Sequence, residues 1–176
     1  MLGLEREEVK LIPYDENWKK EFEKEKIYLQ KVLKDIAILI EHVGSTSIEG
    51  LSAKPILDIA VGVVDKETLY KTIDIMSRHG YQVKNSIEDR DEVLAIKGNG
   101  TNHTHYIHIM VASGDRCKNQ ILFRDYLRKH KETVKEYESL KKELAKIYKD
   151  ERLNYTAGKN NFILSVLEEA KKEENF

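Results

Sequence analysis

Between Trp18 and Ile36 apolar residues recur every three or four positions, at Trp18, Phe22, Leu29, Val32, Leu33 and Ile36, with Lys and Glu between them. That period predicts a long amphipathic helix over about 15–35, entered through Asp15 as an N-cap. The pattern then changes. Residues 38–43 form a strand candidate, 46–50 read as one helical turn, and 56–64 are nearly all apolar, as in a buried strand. A second amphipathic helix over 66–79 closes on Gly80, a residue suited to a helix C-terminus. Strand candidates at 81–84 and 93–97 flank an acidic turn at 88–91, and Gly98-Asn-Gly-Thr101 predicts a hairpin turn into a strand at 105–111. After Gly114 the alternation ends. Residues 118–130, 131–149 and 156–172 read as helices, the second with a stripe of Val134, Tyr137, Leu140, Leu144 and Ile147, the third with Phe162, Ile163, Val166, Leu167 and Ala170 inward. The charged tail over 168–176 is expected to fray.

The chain therefore reads as α+β, one domain over 1–176, with an α/β core at about 9–114 and a helical part at about 115–172; no repeat, low-complexity segment or linker interrupts it. With 40% hydrophobic and 35% charged residues it has the composition of a soluble globular protein. Its 30 basic and 31 acidic side chains argue against non-specific binding to nucleic acid or membranes. No apolar run approaches the roughly 20 residues of a membrane span, and the charged first ten positions lack a signal pattern. A lone cysteine, Cys117, precludes an internal disulfide, so a cytoplasmic location is expected; flanked by Arg116 and Lys118, it reads as a surface thiol.

Candidate chemistry starts at Val43-Gly-Ser-Thr-Ser-Ile-Glu-Gly-Leu-Ser-Ala-Lys-Pro-Ile-Leu-Asp-Ile59. The order strand, Gly-Ser, short helix, strand with Asp resembles the nucleotidyltransferase superfamily, and within it the stretch is similar to the GrpB family. Thr104-His-Tyr-Ile-His-Ile109, Leu122-Phe-Arg-Asp-Tyr-Leu-Arg-Lys-His130, and Tyr155 with Lys159 before Phe162-Ile163 carry the same resemblance, over about residues 9–170. It implies a nucleotidyltransferase-like mixed β-sheet with helices packed on one side, a helical C-terminal third, and a cleft at the Gly-Ser turn. It also implies transfer of a nucleoside monophosphate from a nucleotide triphosphate to a small acceptor with Mg²⁺. One departure stands out. The superfamily usually has a second acid two residues beyond the first, on the same strand face, and here that position is Ala60.

Gly44 lets a backbone approach a phosphate closely, the following amides would point at it, and Ser45 and Thr46 add hydroxyls; an ordinary helix cap is the plainer alternative. Asp58, in an apolar strand, needs a partner. That partner is a cation such as Lys54 or a C-terminal arginine, or Mg²⁺, since hard Mg²⁺ prefers carboxylate oxygens. His103, His105 and His108 suggest zinc at first sight, but strand alternation puts His108 on the face opposite the other two. His108, beside Tyr106 and Met110, is a ligand, a general base or a phosphate donor, or else a satisfied core histidine. Arg124 and Arg128 lie four apart on one helix and suit a phosphate clamp, or an ion-paired solvated face. Lys159 leans to the apolar side of the last helix, where a lysine snorkels out or enters a cleft; with Tyr155 one turn earlier, it is placed to bind a phosphate or stack with a base. Lys54 has a similar claim at the Gly-Ser loop, with an ordinary surface lysine as the first reading. Three readings follow: a nucleotidyltransferase, a non-catalytic binder of a nucleotide or phosphorylated metabolite, and an interaction protein with a vestigial cleft. Ala60 moves weight from the first towards the second, and the combination of Gly-Ser, Asp58 and several cations moves weight away from the third; the transferase stays narrowly in front, with the non-catalytic binder as the alternative.

Overall fold

The computed structural model describes residues 2–174, which build six strands and seven α-helices. In chain order these are β1 (Leu4–Glu5), α1 (Asn17–Leu33), β2 (Leu39–Val43), β3 (Leu57–Val63), α2 (Lys66–Arg78), β4 (Gln82–Ser86), α3 (Ile87–Arg90), β5 (Glu92–Asn99), β6 (Asn102–Val111), α4 (Asp115–Lys129), α5 (Lys131–Ile147), α6 (Arg152–Ala157) and α7 (Asn160–Glu174). One mixed sheet runs β2-β3-β6-β5-β4, with β1 joined to β6. The β3–β6 pair is parallel and the others are antiparallel. The parallel pair sets Asp58 opposite Tyr106 and Ala60 opposite His108, while Val43 of β2 faces Asp58 from the other side.

Alternation along β3 decides what each face does. Leu57, Ile59, Val61 and Val63 are fully buried against Trp18, Phe22, Leu29 and Leu33 of α1 and Leu69 and Met76 of α2. Asp58 and Ala60 point the other way. On that face Val43, Ala60 and Met110 pack against Cys117 of α4. Ile48, Leu51, Leu127 and Tyr137 form a further cluster that joins the Gly-Ser loop to α4 and α5.

Helices thus cover both faces, α1 and α2 on one and the C-terminal helices on the other, which corrects the expectation of one-sided packing. Cys117 is not a surface thiol but lies buried under α4, where burial pushes its pKa up. The expected turn at 46–50 is a tighter 3-10 turn over Ser45–Ser47, closed by the Ser47 hydroxyl on the Gly44 carbonyl at 2.6 Å. Ile147 of the predicted stripe is 65% exposed. The last predicted helix is two, α6 and α7. They meet at Gly158, where a Cβ would come within 2.5 Å of Leu144 Cδ2, so glycine lets this joint press onto α5 without displacing that side chain. Helix α7 continues through the expected fraying segment to Glu174, and the final two positions of that segment lie outside the described residues.

The N-terminal segment ties these parts together. Gly3 donates to the Pro55 carbonyl at 2.9 Å, and Ile12 and Ala53 exchange backbone hydrogen bonds at 2.9 and 3.0 Å. Val9 donates to the Lys149 carbonyl at 3.0 Å, and Arg152 donates to the carbonyl of Arg6 at 3.3 Å.

Candidate functional site

Strand β3 enters the sheet beneath the Gly44–Ser47 turn, and Asp58 sits where the two meet. Gly44 has φ +67° and ψ −174°, a conformation open essentially to glycine alone, and a Cβ there would lie 2.5 Å from Asp58 Oδ2. The glycine is therefore set by Asp58 as much as by the turn.

Asp58 is engaged. Its Oδ1 accepts from Nε2 of His108 at 3.2 Å, and the other ring nitrogen, Nδ1, donates to Glu92 Oε1 at 2.5 Å. Two carboxylate acceptors require two N–H donors, which makes His108 an imidazolium. Burial alone would push its pKa down, but the bonds and charges of Asp58 and Glu92 outweigh burial and raise it to about 9. Both carboxyls, despite burial, are held below their ordinary values by His108. Arg116 closes the chain on Glu92 at 2.9 Å. At neutral pH His108 is thus a fixed positive charge, not a free base or metal ligand. About a third of the Asp58 side chain stays open to the cleft.

The cleft has two compartments that share Ser45, Asp58, His108, Thr156 and Lys159. The narrow one, about 230 Å³, is lined by Lys54, Lys141, Arg152, Tyr155 and Lys159 with Tyr106 of β6. The wide one, about 690 Å³, has an apolar wall of Phe123, Tyr137, Ile163 and Leu167 and the amides of Asn119, Gln120 and Asn160. Among the described residues Asp58 is the one carboxylate lining either compartment.

The cations are held by rings and carbonyls. The Lys54 and Lys159 ammonium groups lie 5.5 and 4.7 Å from the centre of the Tyr155 ring, Lys141 lies 5.1 Å from that of Tyr137, and the Arg152 guanidinium lies 4.9 Å from that of Tyr106. Lys141 also donates to the Ser52 carbonyl. Burial, reinforced by neighbouring positive charge, lowers Lys54 and Lys141 to about 7, and burial, opposed in part by Asp58, lowers Lys159 to about 8.

Of the residues singled out in the sequence, Gly44, Ser45, Thr46, Lys54, Asp58, His108, Tyr155 and Lys159 come together here. Thr46 spends its hydroxyl on Nε2 of His42 at 2.9 Å. Tyr155 is 1% exposed and serves as the platform for two lysines, not as a stacking surface for a base. The turn is three residues long and leads into no helix, so it offers the Ser45 hydroxyl but no helix dipole.

Arg124 and Arg128 do not line the cleft, which corrects the clamp reading. Arg124 is buried behind the turn, on Glu41 at 2.6 Å, Asp125 at 2.8 Å and the His42 carbonyl at 3.0 Å. Arg128 donates twice to the Ser47 carbonyl, at 3.0 and 3.2 Å. The two arginines brace the turn from outside. Ala60 is fully buried under Met110 and Cys117, so α4 occupies the space a second acid would need.

Sequence reasoning missed Glu92, Arg116, Lys141 and Arg152. Lys141 carried a usable signal, since it lies four residues after Tyr137 and three before Leu144, on the apolar stripe of α5. Among the described residues no group of three or more His, Cys, Asp or Glu side chains is arranged to hold a metal ion. Among the described residues no helix is long and apolar enough to cross a membrane.

The molecule is thus a mixed α+β protein with an engaged Asp–His–Glu chain at the mouth of a cationic cleft. Its chain belongs to the GrpB family, whose profile it matches over residues 8–169. It is 38% identical over 173 residues to the glutamate-rich protein GrpB of Alkalihalophilus pseudofirmus, covering 96% of this chain and 99% of that protein. It is 36% identical to the UPF0157 protein YqkA of Bacillus subtilis over 95% of this chain, but spans only 48% of YqkA. Among solved structures it is similar to the conserved protein GrpB from Enterococcus faecalis, with a TM-score of 0.85 at 30% identity, over 95% of this chain and all of that one.

Proposed function

We propose that this protein binds a small phosphorylated molecule of the nucleotide class. Its phosphates lie among Lys54, Lys141, Arg152 and Lys159, and its organic part lies against Phe123, Ile163 and Leu167. One observation carries the reading: the buried Lys141 and the half-buried Lys54 and Lys159 face one cavity, with no ion pair to any of the three among the described residues. Buried cations are costly unless paired, and an incoming anion is the missing partner. The wide compartment suits a heterocycle, with an apolar wall for its face and amides for its edge. Among the described residues Gln120 Oε1 is buried there without a hydrogen-bond partner.

The resemblance to nucleotidyltransferases supplies a second reading, favoured by the partly open Asp58 carboxylate at the junction of the two compartments. The residues do not fit a resident Mg²⁺, which takes about six oxygen ligands in near-octahedral geometry. Asp58 is committed to His108, Glu92 to His108 and Arg116, and Ala60 is covered. Binding without turnover is therefore the reading the geometry supports best.

Titration calorimetry with ATP, with and without Mg²⁺, tests it on the wild type, Asp58→Asn and Lys159→Met. Binding is expected without Mg²⁺, to be retained or strengthened in Asp58→Asn, and to weaken about tenfold or more in Lys159→Met. ATP binding that requires Mg²⁺ and disappears in Asp58→Asn would replace this reading with the transferase.

A further inference from the structure

The narrow compartment gathers three amines from three parts of the chain: Lys54 from the loop before β3, Lys141 from α5, and Lys159 from the α6–α7 joint. Lys141 is buried and Lys54 and Lys159 are half-buried, and their contacts are aromatic rings and one carbonyl, none of which carries a full negative charge. We propose that ligand binding here is coupled to proton uptake by these amines, so that the site grips a polyanion in neutral solution and releases it as the solution turns mildly alkaline. The inference rests on the anion-binding reading above and adds its regulation.

The electrostatic surroundings fix the direction. Lys54 faces Arg152 and Lys159 with only Asp58 opposing, whereas at Lys159 the Asp58 attraction exceeds the Arg152 repulsion and burial is what disfavours the charged form. Lys141 faces Lys159, Lys142 and Lys54 with Glu138 opposing. From β6, His108 presents a positive charge to the same space, and Tyr106 a neutral phenol whose pKa burial raises. Each amine therefore sits in a site that disfavours its charged form until an anion arrives. In the empty protein Lys54 and Lys141 lose their protons near pH 7 and Lys159 near pH 8. Phosphate charge moves all three back towards the ordinary value of 10.5. Between those limits the complex holds more protons than its components, so affinity falls as pH rises. His108, charged up to about pH 9, reinforces the trend only at the alkaline end.

The test uses ATP as the probe at pH 8.5, well above the titration of its own terminal phosphate at about 6 to 7. Binding heats are measured in two phosphate-free buffers of low and high ionisation enthalpy. The expected result is a heat that depends on the buffer and corresponds to uptake of more than about one proton per ATP, with affinity falling about tenfold or more per pH unit between about pH 8 and 9. Lys54→Arg and Lys159→Arg keep a charge that cannot be shed. Each is expected to lower the uptake by about one proton and to bind ATP more tightly than wild type at about pH 9. The wild-type comparison decides without any variant. Retained binding with equal heats in both buffers overturns the coupling and leaves the anion site standing. No ATP binding at neutral pH overturns both.

Discussion

Replacing His108 by Gln removes the one cation shared by Asp58 and Glu92 and leaves a neutral side chain of similar length. The rise in His108 from 6.5 to about 9 corresponds to about 3 kcal/mol of native-state stabilisation, at roughly 1.4 kcal/mol per tenfold change in proton affinity. Glu92 keeps Arg116, so the loss is not compounded there by an orphaned carboxylate. Because the folded-state pKa is raised, this contribution is fully present below pH 6.5 and is lost as pH climbs through about 9. Urea unfolding of wild type and His108→Gln at about pH 6, 8 and 10 measures it. The stability gap is expected to be about 3 kcal/mol at the acid end and to shrink to a small fraction of that at the alkaline end. The lysines of the narrow compartment titrate in both proteins and largely cancel in the difference. A gap of equal size at both ends would show that His108 is a neutral packing residue, and the imidazolium reading would fall.

Gly44→Ala forces a side chain into glycine-only backbone space and against Asp58, and is expected to cost about 1–3 kcal/mol in denaturant unfolding and to weaken ATP binding with it. Ala60→Asp, which on sequence grounds would restore a second metal-binding acid, is instead expected to bury a carboxylate under Met110 and Cys117. Loss of about 3 kcal/mol with no gain in Mg²⁺ binding by calorimetry is the outcome, and a Mg²⁺ gain would refute the packing argument. Arg124→Ala, which breaks the contacts to Glu41, Asp125 and the His42 carbonyl, is expected to lower stability by about 2 kcal/mol while changing ATP affinity less than Lys159→Met does; a larger affinity loss than in Lys159→Met would reinstate it as a ligand contact.

Periodicity was enough to read α1, α2 and the buried strand β3, and strand alternation put His108 on a definite face of its strand, opposite His103 and His105. The number of residues between strands said nothing about which strands pair, so the parallel β3–β6 register that makes Ala60 and His108 neighbours came only with the fold. The helices carried a subtler problem. A Lys-Glu-rich helix looks like a solvated surface whether or not one lysine on it is enclosed, and burial of Lys141 depends on how α5 meets the Ser52 loop, a contact 89 residues away in sequence. Arg124 was misjudged for a related reason. Its position beside an apolar stripe signals enclosure correctly, but enclosure by Glu41 and Asp125 differs from enclosure in a cavity, and only the tertiary contacts separate the two.

The hydrogen bonds from the N-terminal segment have a consequence for how the site comes into being. Residues 3–12 hold the loop that carries Lys54, through Pro55 and Ala53, and also the start of α6, through Lys149 and Arg152. The Arg152–Arg6 contact spans 146 positions, so the two walls of the narrow compartment cannot be joined until the chain has been synthesised past Arg152. A chain still under synthesis, stopped short of α6, could order the α1–α2 side of the sheet and yet possess no anion pocket. On the anion-binding proposal, ATP binding would double as a readout of this closure, and N-terminal truncation short of α1 would blunt it from a distance without touching a single residue that lines the cleft.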